Sequence, residues 1–159
     1  MNPSVGALAL RNAEEQARAV GRAMLAGDLR WVVRSTYAPV VELNGGAERM
    51  EKTMADGSAQ MRKDGVTFDA VTVAAPTWSH LSGPRWYAIV PETVTMRTPK
   101  SRLVQESYLL AVSDDAGATW QFIDGAGLNE RNLKVVLPDA PASLKLPAKK
   151  PTRQVPLGR

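Results

Sequence analysis

Two short segments with alternating side chains carry the acids and the phenol that could do chemistry in this chain. In the first, Glu106 and Tyr108 are two residues apart; in the second, Trp120, Phe122 and Asp124 follow at the same spacing. Because successive side chains of a β-strand point to opposite faces of a sheet, the members of each set share a face. If those faces line one cavity with apolar walls, burial raises the pKa of a carboxyl group and makes it a candidate general acid or base.

A third acid, Glu92, follows Pro91, which cannot donate a hydrogen bond to a neighbouring strand and is expected to kink its own strand. The alternative for the other two acids is a solvated sheet face, or ion pairs with Arg97 or Arg102. No catalytic set can be assigned from these residues. The candidates for lining a pocket are Glu92, Glu106, Tyr108, Trp120, Phe122 and Asp124.

Ser113-x-Asp115-x-Gly117-x-Thr119-Trp120 matches the Asp-box pattern known from sialidases and many other β proteins. In such a turn the Asp carboxylate accepts hydrogen bonds from backbone amides, the Gly has positive φ, and the Thr and Trp pack back onto the strands. Sialidase propellers carry several boxes on separate blades, whereas this chain has one full match and is too short for a propeller. The pattern therefore predicts a hairpin turn and no glycosidase.

The sequence offers few residues for a transition-metal site and none for a disulfide. There is no cysteine, and His80 is the single histidine, beside a predicted turn where we expect a solvated strand end. No nucleophile elbow accompanies the histidine, and no glycine motif for binding phosphate is present. We therefore expect no metal and no cofactor.

The length of 159 residues suits one domain, and 44% hydrophobic with 23% charged residues is typical of a soluble globular protein. The net charge of +4 comes from the end of the chain: before Ser143 there are 15 basic and 16 acidic residues. We therefore expect no nucleic-acid binding by the folded part. The tail that follows has no acid and carries Lys145, Lys149, Lys150, Arg153 and Arg159.

No apolar run is long enough to predict a membrane-spanning helix. The segment Val5–Leu10 is too short for a signal core, although Ala7-Leu8-Ala9 has the small-x-small form of a cleavage site. The location stays open between the cytoplasm and export after a signal has been trimmed.

Three helices are predicted in the first third of the chain. The first is capped by Asn12 and closed by Gly27, and the second is capped by Asp28 and ends near Tyr37. A short apolar piece, 40–43, then precedes the third helix, 47–63, whose Met50, Met54 and Met61 share one face. We interpret this methionine stripe as part of the core, with a methionine-lined binding surface as the alternative.

The hydrophobic period changes to that of strands after Gly65. The expected strands are 66–81, 85–97, 103–113 and 119–124, and their short connections predict an antiparallel four-stranded meander. Pro76 and Pro91 lie inside long strands, which indicates strong curvature. A short helix follows at 129–136. The predicted fold is therefore α+β, with a folded domain over 12–138 and an extended or disordered tail rich in Pro and Lys over 139–159.

Three short segments at predicted turns and helix ends precede the long bulged meander: Gly27-Asp28, Tyr37-Ala38-Pro39 and Asn44-Gly45-Gly46. Their order resembles that of the turns and helix ends in the nuclear transport factor 2-like superfamily. This superfamily, with a cystatin-like cone, includes relatives of polyketide cyclases and ketosteroid isomerase. The resemblance covers roughly residues 12–136, and the segment Trp120–Asp124 looks most like uncharacterised bacterial members. It implies a helix-stoppered cone with a pocket and a homodimer formed through the outer sheet face. No catalytic residue is carried over, since none can be matched by position.

Three functions remain open. The first is a small-molecule-binding protein, because the architecture forms a pocket without a recognisable catalytic set. The second is a proton-transfer or hydrolytic enzyme, with Glu106 or Asp124 as base and Tyr108 as hydrogen-bond donor. The third is a protein-interaction module that uses the sheet face or the basic tail.

Overall fold

Five α-helices and a six-stranded antiparallel sheet form an open α+β fold, which confirms the predicted fold class. The structure is a computed structural model and describes residues 3–157. The predicted tail extends two residues further, so Gly158 and Arg159 lie outside the described residues. Within 3–157, no helix is both long enough and apolar enough to cross a membrane.

Helix α1 (Pro3–Ala26) begins well before the predicted cap. Asn12 lies inside the helix, and its side-chain amide donates to the Gly117 carbonyl at 3.0 Å. The residues before Asn12 are also helical; Ala9 among them is buried, and alanine has the highest helix propensity. A buried stripe of mostly small side chains runs along the helix from residue 9 to residue 23 and consists of Ala9, Ala13, Ala17, Val20 and Ala23.

Four helices, rather than three, precede the sheet. Helix α2 (Leu29–Ser35) begins at Asp28, whose carboxylate accepts from the Trp31 amide, as the sequence predicted. The apolar piece predicted between helices is a helix of its own, α3 (Ala38–Leu43), because Pro39 lies in its first turn, where no amide hydrogen is required. Helix α4 (Ala47–Lys63) has the predicted bounds.

The sheet has six strands instead of four. They are β1 (Thr67–Val73), β2 (Trp78–Ser82), β3 (Arg85–Arg97), β4 (Ser101–Ser113), β5 (Gln121–Asp124) and β6 (Arg153–Pro156). The segment expected as one strand over 66–81 divides around Pro76, and its halves β1 and β2 pair with successive parts of β3. The sixth strand comes from the predicted tail and pairs with the beginning of β4.

The long hairpin of β3 and β4 carries the rest of the sheet. Its register runs from Trp86 opposite Ser113 to Arg97 opposite Arg102. Strands β1 and β2 lie along one side of it, and β5 and β6 lie along the other. Helix α5 (Glu130–Val136) follows, capped by the predicted Asn129.

Each face of the sheet has its own hydrophobic core. The inner face packs against α1 and also contacts Val32 of α2 and Met54 of α4. The outer face packs against Tyr37, helix α5 and the chain beyond it, including the buried Leu144. The first part of the predicted tail therefore forms turns at 138–139 and 142–143 and is held against the sheet.

Candidate functional site

The register divides the six predicted pocket residues between the two sheet faces. Phe122 lies opposite Ala111 and Asp124 opposite Leu109, and both partners belong to the inner core. Tyr108 packs in the outer core, and Glu106 is two residues before it on the same face. The six side chains do not line one cavity.

Trp120 and Phe122 fill the inner core, where they are 3% and 4% exposed. The indole Nε1 of Trp120 donates to the Ala9 carbonyl at 3.1 Å and to the Gly117 carbonyl at 3.0 Å. Its backbone amide donates to the side-chain oxygen of Gln16 at 2.8 Å. These contacts fasten the β4–β5 turn to α1, so Trp120 serves packing here.

The Asp-box segment forms the predicted turn. The Thr119 amide and the Ser113 hydroxyl each donate to Asp115 Oδ1 at 2.8 Å, and these hydrogen bonds lower the pKa of Asp115. The Gly117 amide donates to Ser113 Oγ at 2.9 Å, and its φ is +90°. The prediction of a structural hairpin turn is confirmed in these contacts.

Asp124 and Glu106 both have exposed side chains. Asp124 accepts from the Ala126 amide at 2.9 Å and so caps the short 3₁₀ turn after β5. Glu106 lies 3.7 Å from Lys150 Nζ. Neither has the apolar surroundings that a buried general base requires.

Arg97 and Arg102, the ion-pair partners considered in the alternative, contact a different acid. Asp69 Oδ2 lies 3.7 Å from Arg97 and 3.4 Å from Arg102. Asp69 lies at a bulge of β1, where the register shifts between Phe68 and Ala70. The bulge therefore brings one carboxylate to two arginines that oppose each other across β3 and β4.

Glu92 is the acid with the most unusual environment. It is half-buried on β3, opposite Val73 and Ser107. Burial raises the pKa of Glu92 to about 7, and the negative charge of Asp124 adds to the effect. The pKa of Tyr108 is raised by the same two causes. Glu92 lies beside the gap between the end of β1 and the start of β2.

A small outer cavity of about 190 Å³ lies between the outer sheet face and the tail. Glu92, Glu106 and Tyr108 line it, and Pro147 and Lys150 cover it. Glu106 and Tyr108 face it from the outer side of the sheet. Glu92 borders it, but pairs with Val73 and Ser107, whose side chains lie on the inner side. The volume of this cavity is below the range usual for ligand pockets, which begins at about 300 Å³.

A larger cleft, which we call the inner groove, was not identified by residue from the sequence. It encloses about 410 Å³ between the end of α1, helix α4 and the start of β1. Its polar lining includes Ser58, Arg62 and Thr67. The apolar walls include Met24, Leu25, Leu29, Met61, Val66 and Phe68.

The methionine stripe of α4 was the available signal for this groove. Within α4 no residue is fully buried, although Met54 packs against the inner core. Met61 lines the groove. The interpretation as a core stripe is therefore wrong for this half of the helix, and the alternative, a methionine-lined surface, describes Met61 better.

His80 is half-buried rather than solvated. Its ring stacks on Trp78 with centroids 6.1 Å apart, and the Ser143 hydroxyl lies 3.5 Å from Nδ1. Among residues 3–157, no acid hydrogen-bonds to this histidine, so a serine–histidine–acid triad is not assembled there. The described residues also contain no group of three His, Asp or Glu side chains placed to hold a metal ion.

Comparisons with known proteins give no relative for this chain. No protein-family model, no curated protein and no solved structure matches it.

Proposed function

We propose that this protein binds a small organic molecule in the inner groove. The observation that carries the proposal is a cleft of about 410 Å³ with mainly apolar walls and few polar groups. Ligand pockets commonly have volumes of about 300–1,000 Å³ and this kind of lining. The outer cavity is smaller and is covered by the tail.

The lining favours an apolar ligand that can vary in shape. Met24 and Met61 lie on different helices, and methionine side chains adapt to irregular partners because they are unbranched and polarisable. Phe68 and Leu29 add further apolar surface. An aromatic or branched aliphatic body fits these walls.

Arg62 selects for an anionic group on that ligand. It is the one charged residue in the lining, it is exposed, and no ion pair involves it among residues 3–157. A guanidinium can bind a carboxylate through two parallel hydrogen bonds. The proposed ligand class is therefore a hydrophobic carboxylate.

The superfamily resemblance supports this proposal at the level of architecture. We propose a strongly curved cone of the nuclear transport factor 2-like type, supported by the helices on the inner face and the bulge at Asp69. The homodimer implied by that resemblance stays a prediction. Helix α5 and Leu144 cover part of the outer face, through which the resemblance implies dimerisation. Sedimentation velocity measures the subunit number directly.

A thermal-shift panel tests the ligand class. Each hydrophobic carboxylate is measured beside its own amide, which has the same shape and no charge. A ligand at about ten times its Kd stabilises the folded state by about 1.4 kcal/mol, which raises Tm by roughly 3–6 °C in a chain of this length. We expect the carboxylates to raise Tm more than the amides.

Two variants and one control variant test whether the Tm shift comes from binding in the inner groove. Arg62→Gln should remove the advantage of the carboxylates over the amides, whereas Lys63→Gln, a neighbouring exposed residue outside the lining, should keep it. Ser58→Trp should fill the groove and reduce the shift for both compounds. Equal carboxylate shifts in wild type and Arg62→Gln, or no shift with any compound, would refute the proposal.

A second candidate function is proton transfer by Glu92. The observation that favours it is a half-buried carboxyl group on β3 whose pKa is raised by burial to about 7. A base with a pKa near the working pH transfers protons most effectively. Ketones with acidic α-hydrogens can be incubated in D₂O and followed by NMR. Deuterium uptake that persists in Glu92→Gln would exclude this role.

A further inference from the structure

The tail of this chain builds a basic surface on the outer sheet face. Arg97 lies opposite Arg102, and Arg102 lies opposite Val155 of β6. In the next row, Thr95 and Arg153 lie on either side of Val104. Directly paired residues of antiparallel strands point to the same side. Strand β6 therefore places a tail arginine beside the two arginines of the β3–β4 hairpin.

Positive charge exceeds negative charge on this surface, which we call the basic face. Its acids are Asp69, shared by Arg97 and Arg102, and Glu106, which lies 3.7 Å from Lys150. Lys100 is exposed in the hairpin turn. The basic residues are Arg97, Lys100, Arg102, Lys150 and Arg153. Two carboxylates thus face five cations.

Apolar side chains are exposed at the edge of the basic face. Val155, opposite Arg102, is 38% exposed, and Leu157 is 36% exposed. All four residues of β6 are exposed, so this strand buries little of its own surface. Val155 therefore presents an apolar side chain in the same row as Arg102, and Leu157 follows two residues later along the chain.

We propose that the basic face binds the surface of an anionic lipid bilayer. Cationic side chains are attracted to negatively charged headgroups, and apolar side chains enter the boundary between headgroups and acyl chains. The basic face offers both kinds of side chain. Nonspecific binding of single-stranded nucleic acid would use stacking aromatic side chains, and the residues that define the basic face include none.

Vesicle co-sedimentation tests the proposal with the full chain. We expect binding to phosphatidylcholine vesicles that contain phosphatidylserine and none to phosphatidylcholine alone. Binding should fall as salt is raised, because the Debye length shortens from about 10 Å at 0.1 M to about 3 Å at 1 M ionic strength. Single-stranded DNA is offered in a parallel assay. Binding to DNA but not to vesicles would overturn the proposal, as would binding to neither.

Charge reversal on the basic face is the decisive comparison. Arg97→Glu with Arg153→Glu should lower the vesicle partition coefficient at least about tenfold. The matched control, Arg22→Glu with Arg49→Glu, makes the same change in net charge at exposed positions of α1 and α4. It should bind almost as wild type does. Equal losses in both variants would mean that net charge alone drives binding, and the basic face would be rejected.

A separate variant tests how much the exposed apolar side chains contribute to vesicle binding. Val155→Ser with Leu157→Ser should weaken vesicle binding severalfold while leaving its salt dependence unchanged, since no charge is removed. Thermal melts establish that each variant is folded. If the charge-reversal variant is unfolded, Arg97→Gln with Arg153→Gln takes its place. If the serine variant and a folded charge variant both bound vesicles as wild type does, the proposal would be refuted.

Discussion

Glu92 is the residue at which pH should act most directly on stability. Its pKa is about 7 in the folded protein against an ordinary value of 4.5, because burial disfavours the charged form. Between those two values the folded state holds a proton that the unfolded state has released. The free energy of unfolding should therefore fall as pH rises from about 4.5 to 7.

Glu92→Gln should remove this dependence. At pH 8 the variant is expected to be roughly 1–3 kcal/mol more stable than wild type, with a much smaller difference at pH 4.5. Urea unfolding at the two pH values measures the effect. Glu106→Gln, at an exposed acid of the neighbouring strand, is the control and should show no such gain. A Glu92→Gln variant that is less stable than wild type at pH 8 would contradict the assigned environment.

Gly117 is the position where a single methyl group should be most damaging. Its φ of +90° is strained for any other residue, and an added Cβ would collide with the Cβ and Cα of Ala9. Gly117→Ala should therefore cost about 3 kcal/mol of unfolding free energy. Gly127→Ala is the control, because nothing lies within 4 Å of its added Cβ and its φ is not positive. Denaturant titrations that show equal stability for the two variants would disprove the prediction.

The Asp-box turn could be predicted from sequence because its chemistry is local. Ser113, Asp115 and Gly117 hydrogen-bond within a few residues, so spacing alone specifies them. The contacts of this turn with α1 could not be predicted in the same way. Trp120 and Ala9 are separated by 111 positions, and only the folded arrangement brings them together.

At the level of elements, hydrophobic period located the helices and strands but not their number. The sequence of Val40–Leu43 is apolar and short, which does not distinguish helix from strand; Pro39 in the first turn made it a helix. The division between β1 and β2 depends on where each half pairs with β3. Pairing is a tertiary property, so the pattern near Pro76 indicated irregularity without specifying two strands.

The tail was expected to be extended or disordered because it is rich in Pro and Lys. Its anchoring depends on one side chain more than on its strand. Leu144 is buried in the outer core, whereas all four residues of β6 are exposed. Leu144→Ala should therefore cost about 2 kcal/mol of unfolding free energy.

The matched control for the tail is Leu157→Ala, which changes the same side chain at an exposed position. We expect it to alter stability by less than about 0.5 kcal/mol. Limited proteolysis provides a second measurement, because release of the tail should speed cleavage within 145–152 in Leu144→Ala only. Equal protection in both variants would show that β6, rather than Leu144, holds the tail.

At the scale of the whole molecule, the pairing register between strands explains why the predicted site residues lie on two faces of the sheet. Sequence spacing shows which residues share a face within one strand, but the register between strands decides which sets share a face. A shift of one residue between β4 and β5 would have put Trp120, Phe122 and Asp124 on the same side as Glu106 and Tyr108. The observed pairing of Ala111 with Phe122 places these two sets on opposite sides. No local pattern encodes that choice.

The two cores should unfold together because they share one sheet. The β3–β4 hairpin contributes Val90 to the inner core and Ile89 to the outer core, so neither core persists without these strands. We therefore expect a substitution in either core to shift a single cooperative transition. Phe122→Ala represents the inner core and Leu137→Ala the outer core, and each should cost about 3 kcal/mol or more.

Far-UV circular dichroism and tryptophan fluorescence measure this transition with independent probes. Far-UV signal reports all helices and strands. Fluorescence is measured in a Trp78→Phe background, which removes the indole packed against the outer core and keeps Trp86 and Trp120 of the inner core. In both variants the two midpoints should coincide and shift together. If Leu137→Ala moved the far-UV midpoint while the fluorescence midpoint stayed at its wild-type value, the outer layer would be unfolding separately. Helix α5 and the tail would then detach while α1 stays packed on the inner face, and the two cores would not unfold cooperatively.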